Sequence, residues 1–407
     1  MNSGNPESLS VFKPEKPNLA MPEIIVDEGK FLSAFSQAAQ QNAKNYYKAL
    51  ELNKTIENCS EIARRINQPK RTVIEWISGQ KIPHAILAIN ELKSNNLLPL
   101  VTSQDSEAFN LFLEIFAFVY GDGSLKKDLG GIDLCGQKED LIALKNHIEK
   151  TLGFNTRLVK NCHPSIITKE NKGAIFKSLS NGSCFVLRIH SCQLSKLIYL
   201  AGAPKGDKIT QPVTIPDWLM NSSKDTKQRF LGVLFGNELQ CPYIRAQNAF
   251  TSAQLGFHKI ESREKDLEFF LSQIRILLKE FGIATSPIAS EKCRTIRKDG
   301  NRSLKVYFVI DSHSPNILRL TQEIPFKYAE AKQKRFEKEI HKFLDGSQYL
   351  KQEWKLYKKV MQMHENGLGR RTIFKQLKLP KKYFYRINSW IHYGSKPLYY
   401  SESRSFW

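Results

Sequence analysis

The sequence predicts an α+β protein, with a duplicated core of helices and short antiparallel strands between two all-helical ends. Three observations lead there. From about Glu107 to Tyr328, helical patterning alternates with short runs rich in β-branched, aromatic and other apolar residues. Within that span, Ala117-Phe-Val-Tyr-Gly-Asp-Gly123 is echoed by Gly232-Val-Leu-Phe-Gly-Asn-Glu238. Outside it, Ile62-Ala-Arg-Arg-Ile-Asn-Gln-Pro69 is echoed by Ile373-Phe-Lys-Gln-Leu-Lys-Leu-Pro380.

Taken in order, residues 1–28 are Asn-, Ser-, Pro- and Glu-rich and are expected to form a disordered tail. Helical patterning fills a first unit, residues 29–100, and Val101-Thr-Ser-Gln-Asp-Ser106 reads as a linker. The first core repeat is placed at 107–220 and the second at 221–345, with strands including Ile132–Cys135, Cys184–Ile189 and Lys305–Ile310. An amphipathic helix follows in each repeat, Glu139–Lys150 and Lys265–Ile274, and each precedes a glycine suited to a left-handed cap, Gly153 and Gly282. Each half thus reads α-β-β-(α)-β-β-α. Residues 346–407 return to helix.

The chain has 407 residues, 41% of them hydrophobic, enough for two or three cores. Its formal charge of +21 suits a polyanionic partner, because each phosphate neutralised by Lys or Arg releases counterions. The seven cysteines are scattered without a C-x-x-C pair, which points away from zinc sites and disulfide frameworks. No apolar leader and no run of about eighteen apolar residues is present, so neither a signal peptide nor a membrane span is expected. The expected setting is a reducing compartment, cytoplasmic and nucleoid-associated or the matrix of an organelle.

At both ends the layout is helix, short turn, helix, with a Trp-Ile pair in the second helix (Trp76-Ile77, Trp390-Ile391) and a closing Gly-x-Lys with Pro. The spacing from Pro380 to Trp390 exceeds that from Pro69 to Trp76 by about one helical turn. Lys70, Arg71 and Thr72 open one second helix; Lys381, Lys382 and Tyr383 open the other. In a helix-turn-helix these first residues meet base edges or phosphates in the major groove, so both ends are expected to bind DNA.

Ile115-Phe-Ala-Phe-Val-Tyr-Gly-Asp-Gly123 resembles the LAGLIDADG motif of homing endonucleases. Ala117 and Gly121 share a helix face that admits a partner helix closely, and Gly232 and Gly236 repeat the spacing. Ala201-Gly-Ala-Pro-Lys-Gly-Asp-Lys208 and Val213-Thr-Ile-Pro-Asp-Trp-Leu219 are similar to the Gly-Lys loop and Ile-Pro-x-Trp segment found after the first repeat in this family. The resemblance covers roughly residues 107–345 and implies the two-repeat, single-chain form. It thereby implies two pseudo-symmetric αββαββα repeats with saddle-shaped sheets, acting as a monomeric pseudo-dimer.

The resemblance also implies site residues. Asp122 matches the metal-binding acid of the first repeat, with Gly121 beside it. In the second repeat two alignments stay open: Asn237 occupies the acid's place if the small-residue faces are matched, and Glu238 if acid is matched to acid. Gln137 resembles a polar position that orders water, with Arg263 its counterpart. His190 or Arg188, and His313 or Lys305 in the second repeat, are candidates for stabilising charge on phosphate. The implied chemistry is Mg²⁺-assisted hydrolysis of double-stranded DNA at a specific long site. A catalytically decayed DNA-binding regulator and an RNA maturase are the alternatives. Expected DNA contacts on the sheets and loops are Lys126, Lys127, Arg157, Lys160, Arg188, Arg245, Gln247, Arg263, Arg294 and Arg297, with Asp133, Gln254 and His258 reading bases.

Overall fold

The structure, a computed structural model, describes residues 23–102, 106–162, 165–171, 174–180, 183–244 and 250–397. The first unit comprises β1 (Ile24–Val26), α1 (Glu28–Leu32), α2 (Gln37–Leu52), α3 (Cys59–Arg65), α4 (Lys70–Ile77), α5 (His84–Ser94) and β2 (Leu100–Val101). Here the expected tail is corrected. Residues 1–22 lie outside the described residues, but Ile25 and Val26 are buried and β1 pairs antiparallel with β2, so the apolar Ile-Ile-Val run closes the unit. The expected linker begins inside β2, and residues 103–105 lie outside the described residues.

The central region opens with α6 (Glu107–Tyr120), capped by Ser106, whose hydroxyl accepts from the Phe109 N–H at 3.1 Å. Ten consecutive residues, Leu111–Tyr120, are buried, so α6 is a core helix packed on all sides. It leads into β3 (Gly123–Leu125), β4 (Ile132–Gly136), α7 (Lys138–Leu152), β5 (Thr156–Cys162), β6 (Ser165–Asn171), β7 (Ala174–Ser180), β8 (Ser183–Ile189), α8 (Cys192–Leu200) and the single turn α9 (Asp217–Met220). The following stretch holds α10 (Lys224–Glu238), β9 (Tyr243–Ile244), β10 (Phe250–Thr251), β11 (Gln254–Ile260), α11 (Glu264–Glu280), β12 (Ala289–Ile296), β13 (Arg302–Val309) and α12 (Ser314–Glu323). Gly153 (φ +64°) and Gly282 (φ +67°) adopt the left-handed backbone after α7 and α11.

Helices α6 and α10 lie against each other at the centre. Their strands form two larger antiparallel sheets, β3-β4-β8-β5 and β11-β13-β12-β6-β7. The second sheet is completed from the first half: hairpin β6–β7 crosses over and β6 pairs with β12 at Glu170↔Arg294. In the second half, the position after α10 that corresponds to β3 holds only an isolated bridge, Gln240↔Gln254. Pro242, lacking an N–H, stands in that stretch and interrupts the ladder. The halves are therefore unequal.

Gly232 and Gly236 do not face α6 as their spacing predicts. A Cβ on Gly232 would lie 2.6 Å from the Pro325 carbonyl oxygen, and one on Gly236 2.7 Å from that of Lys327. These glycines admit the segment 325–329, which bends at Tyr328 (φ +51°) and whose Lys327 N–H reaches the Gly232 carbonyl at 3.2 Å.

The long helix α13 (Glu330–Glu365) then carries the chain to α14 (Arg370–Gln376) and α15 (Lys382–His392). This end has its own small core of Val360, Ile373, Ile387 and Trp390. The turns within the two terminal helix pairs match: Asn67 (φ +52°) and Lys378 (φ +49°) each take the left-handed backbone two residues before the proline. Gly79 and Gly394 do likewise at the close. Among the described residues, no helix is long and apolar enough to cross a membrane.

Candidate paired-carboxylate site

Where α6 and α10 end side by side, backbone carbonyls lose their helical partners and the helix dipoles present negative ends. Each end is closed by one lysine. Lys208 Nζ donates to the carbonyls of Val119 (2.9 Å), Tyr120 (3.4 Å), Gly121 and Gly123 (2.8 Å). Lys332 Nζ donates to those of Phe235 (3.0 Å), Gly236 (2.8 Å) and Asn237 (2.9 Å). The two cradles set the register between the helices. Val119, Tyr120 and Gly121 correspond to Phe235, Gly236 and Asn237, so the next residues, Asp122 and Glu238, correspond to each other. Of the two alignments the sequence leaves open, the lysine cradles follow the one that matches acid with acid.

Gly121 is needed for this approach. A Cβ there would lie 3.1 Å from the Asn237 Cβ and 3.3 Å from the Glu238 Cγ. Asn237 thus packs at the helix crossing, and its Nδ2 is buried without a hydrogen-bond partner among the described residues.

Crowding at the crossing shapes the charges. Burial, followed by the Asp122 charge, raises Glu238 to about 7 against the opposing pull of Lys208 and Lys332. Burial also raises Asp122, although its side chain reaches solvent. The same desolvation lowers both lysines, with the carboxylates working the other way. On β4, the Cys135 thiol is pushed up to about 11 by burial, then by Cys184 and Asp122. Lys259, a buried residue of β11, donates to the carbonyls of Lys208 and Gln211 and so fixes the loop that delivers Lys208.

The other expected site residues are dispersed. Gln137 is exposed just beyond β4, on the strand end nearer Asp122, since Cys135 N–H donates to the Asp122 carbonyl at 3.0 Å. His190 is at the wrong end. Cys135 pairs with Val186, and His190 lies four positions further along, about 13 Å at roughly 3.3 Å per residue. On that register His190 lies just past β8, away from the level of Asp122.

Ser124, Asp133, Arg188 and Arg157 line up across β3, β4, β8 and β5 on the open face of the sheet. Lys160 is displaced to the opposite face, because it is out of phase with Arg157 along β5. Gln254 and His258 share the outer face of β11, His258 opposite Lys305. Arg263 is paired with Asp266 (3.2 Å), Arg294 with Glu261 (2.5 Å) and Arg297 with Asp207 (2.8 Å), so all three are engaged internally. Lys126 and Lys127 are exposed; so are Lys70 and Arg71 at the start of α4, and Lys381 and Lys382 at the start of α15, while Thr72 is half-buried. His313 caps α12 at the surface. Arg245 and Gln247 lie outside the described residues.

Sequence reasoning missed the two lysines. Lys208 ends the Ala201–Lys208 loop, where no local pattern assigns it a partner. Lys332 lies in the charged run Glu330-Ala-Lys-Gln-Lys-Arg335, where nothing local separates it from its neighbours.

No family model matches the chain. It is 33% identical over 223 residues to the DNA-directed RNA polymerase subunit Rpo1N of Methanocaldococcus jannaschii, covering 54% of this chain and 16% of that protein. It is 26% identical over 323 residues to the replication factor C small subunit of the same organism, covering 78% of this chain and 16% of that protein. It is also 26% identical over 239 residues to the tRNA-splicing ligase RtcB of Methanopyrus kandleri, covering 58% of this chain and 22% of that protein. The chain therefore spans less than a quarter of the length of these relatives. A solved structure of mesophilic variants of the homing endonuclease I-DmoI is similar at a TM-score of 0.31 and 12% identity, covering 55% of this chain and 96% of that one. The expected identity as a homing-type, site-specific DNA endonuclease, with its regulator and maturase alternatives, is corrected here. The curated relatives bear the names of a polymerase subunit, a replication factor and an RNA ligase, which point to other functions.

Proposed function

We propose that this chain is a nucleic-acid-processing enzyme whose reaction, at a backbone phosphate, is run by Asp122 and Glu238. The observation that carries the proposal is the lysine-backed pair of acids at the ends of α6 and α10. Two carboxylates held this close repel, and Glu238 sits near the pH at which a group both takes and returns a proton. In the proposed reaction Glu238 takes the proton of an attacking hydroxyl as its oxygen bonds to phosphorus, and returns that proton to the ester oxygen as its bond to phosphorus breaks. Lys208 and Lys332 keep both acids in place and offset their charge.

The names of the relatives agree with a partner of this class, since polymerase, replication factor and tRNA ligase all denote work on nucleic acids. Each match covers more than half of this chain, so any two overlap within it while taking up under a quarter of proteins with different names. That pattern supports a shared module with a chemistry of its own.

Mg²⁺ is the proposed cofactor. It binds through one or two carboxylates and retains water, which Asp122 and Glu238 accommodate, with the Asn237 amide beside them to hold an outer oxygen. Among the described residues no group of three or more His, Cys, Asp or Glu stands together, so a cage made wholly of protein ligands is not part of the proposal. When bound, the ion supplies charge stabilisation and an activated water.

The proposal extends to architecture: two LAGLIDADG-like halves at 107–220 and 221–345, and helix-turn-helix units at 29–100 and 346–407 that hold duplex DNA. The test is to incubate the full chain with end-labelled DNA and RNA in Mg²⁺ or EDTA and to follow strand length. The expected result is metal-dependent making or breaking of phosphodiester bonds, lost in Asp122→Asn and Glu238→Gln. A reaction that survives both substitutions, or none with any nucleic acid, overturns it.

A further inference from the structure

A cavity of about 990 Å³ opens beside Glu238 of the acid pair. One wall is the segment Asn237–Ile244; the other is a single face of α13 bearing Lys332, Arg335, Glu339 and Lys342. The α13 residues recur at helical spacing, so their side chains project the same way. Glu339 is held by Lys342 at 2.6 Å, and its carboxylate also receives the Ile244 N–H at 3.4 Å, so it braces the two walls together. Arg335 is exposed and forms no ion pair among the described residues. Tyr243 exposes 39% of its surface on the facing wall. At the inner end stands the buried Asn237 Nδ2, a donor with no acceptor among the described residues.

We infer that this cavity seats a single-stranded flank of the nucleic acid as it leaves the acid pair, with Arg335 on a phosphate and Tyr243 against a base. Grooves of this kind combine cations that follow the backbone with an aromatic surface for base stacking. The lining matches that chemistry: three cations against two carboxylates, one of them already neutralised by Lys342. The volume is at the upper end for a small-ligand pocket, which suits a stretch of strand more than one free nucleotide. A guanidinium is the group best shaped to grip a phosphate with two parallel hydrogen bonds. The Asn237 amide would meet the first oxygen of the flank. The inference rests on the proposed nucleic-acid chemistry at Asp122 and Glu238.

The experiment measures binding, which needs no turnover. Fluorescence anisotropy of the full chain in EDTA would compare a blunt DNA duplex with the same duplex carrying a short single-stranded flank. The wild-type chain is expected to favour the flanked probe. Arg335→Glu should reduce affinity for it about tenfold and flatten its salt dependence by about one counterion, leaving the blunt duplex unaffected. Tyr243→Ala should weaken the flanked probe while Tyr243→Phe preserves it, because stacking needs the ring alone. Equal affinity of the wild type for both probes, or equal losses on both probes in Arg335→Glu, overturns the inference. Glu238→Gln with unchanged flank preference but no reaction would uphold it, whereas loss of the reaction proposal would show separately as turnover surviving that substitution.

Discussion

Lys332 donates from its Nζ to the Asn237 carbonyl oxygen at 2.9 Å, closing α10 just as Lys208 closes α6. The two lysines lie on unrelated elements, a loop after α8 and the first turn of α13. Yet each replaces the missing helical donors at a carbonyl end that water does not fully reach. The substitutions Lys208→Met and Lys332→Met keep the apolar stem and remove the donors. Each is expected to lower unfolding free energy by about 2–3 kcal/mol, the size of lost hydrogen bonds to a charged group. The check is the urea midpoint, read with an unchanged slope. A shift under about a third of that size would mean that water serves the carbonyls equally well.

The raised Glu238 carboxyl fixes the sign of a pH effect. Folded, it holds its proton to about pH 7, whereas its ordinary value is 4.5. Between those limits the native state binds more protons than the unfolded chain, so this group's contribution to stability falls as pH rises from about 4.5 through about 7. Glu238→Gln should flatten that decline and raise the thermal midpoint at pH 8 while abolishing the reaction. Adding Mg²⁺ to the wild type should oppose the decline, and should do so much less in the variant. Thermal melts across pH, with and without the ion, decide it. An unchanged pH profile in the variant would show that the carboxyl titrates normally.

Several parts of the fold were legible because their signals are local. Asp122 follows an apolar run and a glycine, Gly153 and Gly282 follow amphipathic helices, and the paired turns at Asn67 and Lys378 repeat against their prolines. What escaped depends on partners distant in the chain. Strand patterning places β6 and β7 as strands without saying that they cross to β12. Small residues at Gly232 and Gly236 announce a close neighbour but not which one, and the neighbour proved to be the 325–329 segment. His190 shows the same limit in reverse: its residue type fits the chemistry, and only the β4–β8 register tells that it lies along the strand away from Asp122.

Glu114 is the one charged residue in the buried length of α6, 1% exposed. Its Oε1 accepts from Arg229 and Lys327, both at 2.6 Å, and its Oε2 from the Tyr328 hydroxyl at 2.7 Å. Burial alone would raise its carboxyl, but the hydrogen bonds from Lys327 and Tyr328 hold it below the ordinary value. The cluster ties α6, α10 and the 325–329 segment at the end away from the acids. Glu114→Ala should lower stability by about 2–4 kcal/mol, somewhat less than for a fully enclosed pair because Arg229 and Lys327 keep some contact with water. Glu114→Ala combined with Lys327→Met should cost about the same as Glu114→Ala alone. Chemical denaturation of the two singles and the double measures that coupling, and simple additivity would exclude it.

Two glycines in helices call for opposite outcomes on the same substitution. In α10, a Cβ on Gly236 would press on the Lys327 carbonyl oxygen at 2.7 Å and on the Ala329 Cβ at 3.1 Å, so the backbone of the 325–329 segment has to move. That segment leads into Lys332, and displacing it pulls the lysine off the end of α10 beside Glu238. Gly236→Ala is therefore expected to lower both stability and the reaction rate. In α13, Gly346 has nothing within 4 Å of an added Cβ. There alanine only restricts the unfolded chain and favours the helix, so Gly346→Ala should raise stability by about 0.5–1 kcal/mol and leave the reaction unchanged. Thermal midpoints and single-turnover rates for both variants test the contrast. A tolerated Gly236→Ala would show that the 325–329 segment yields freely, and the tight seating of Lys332 at the end of α10 would then have to come from α13 itself.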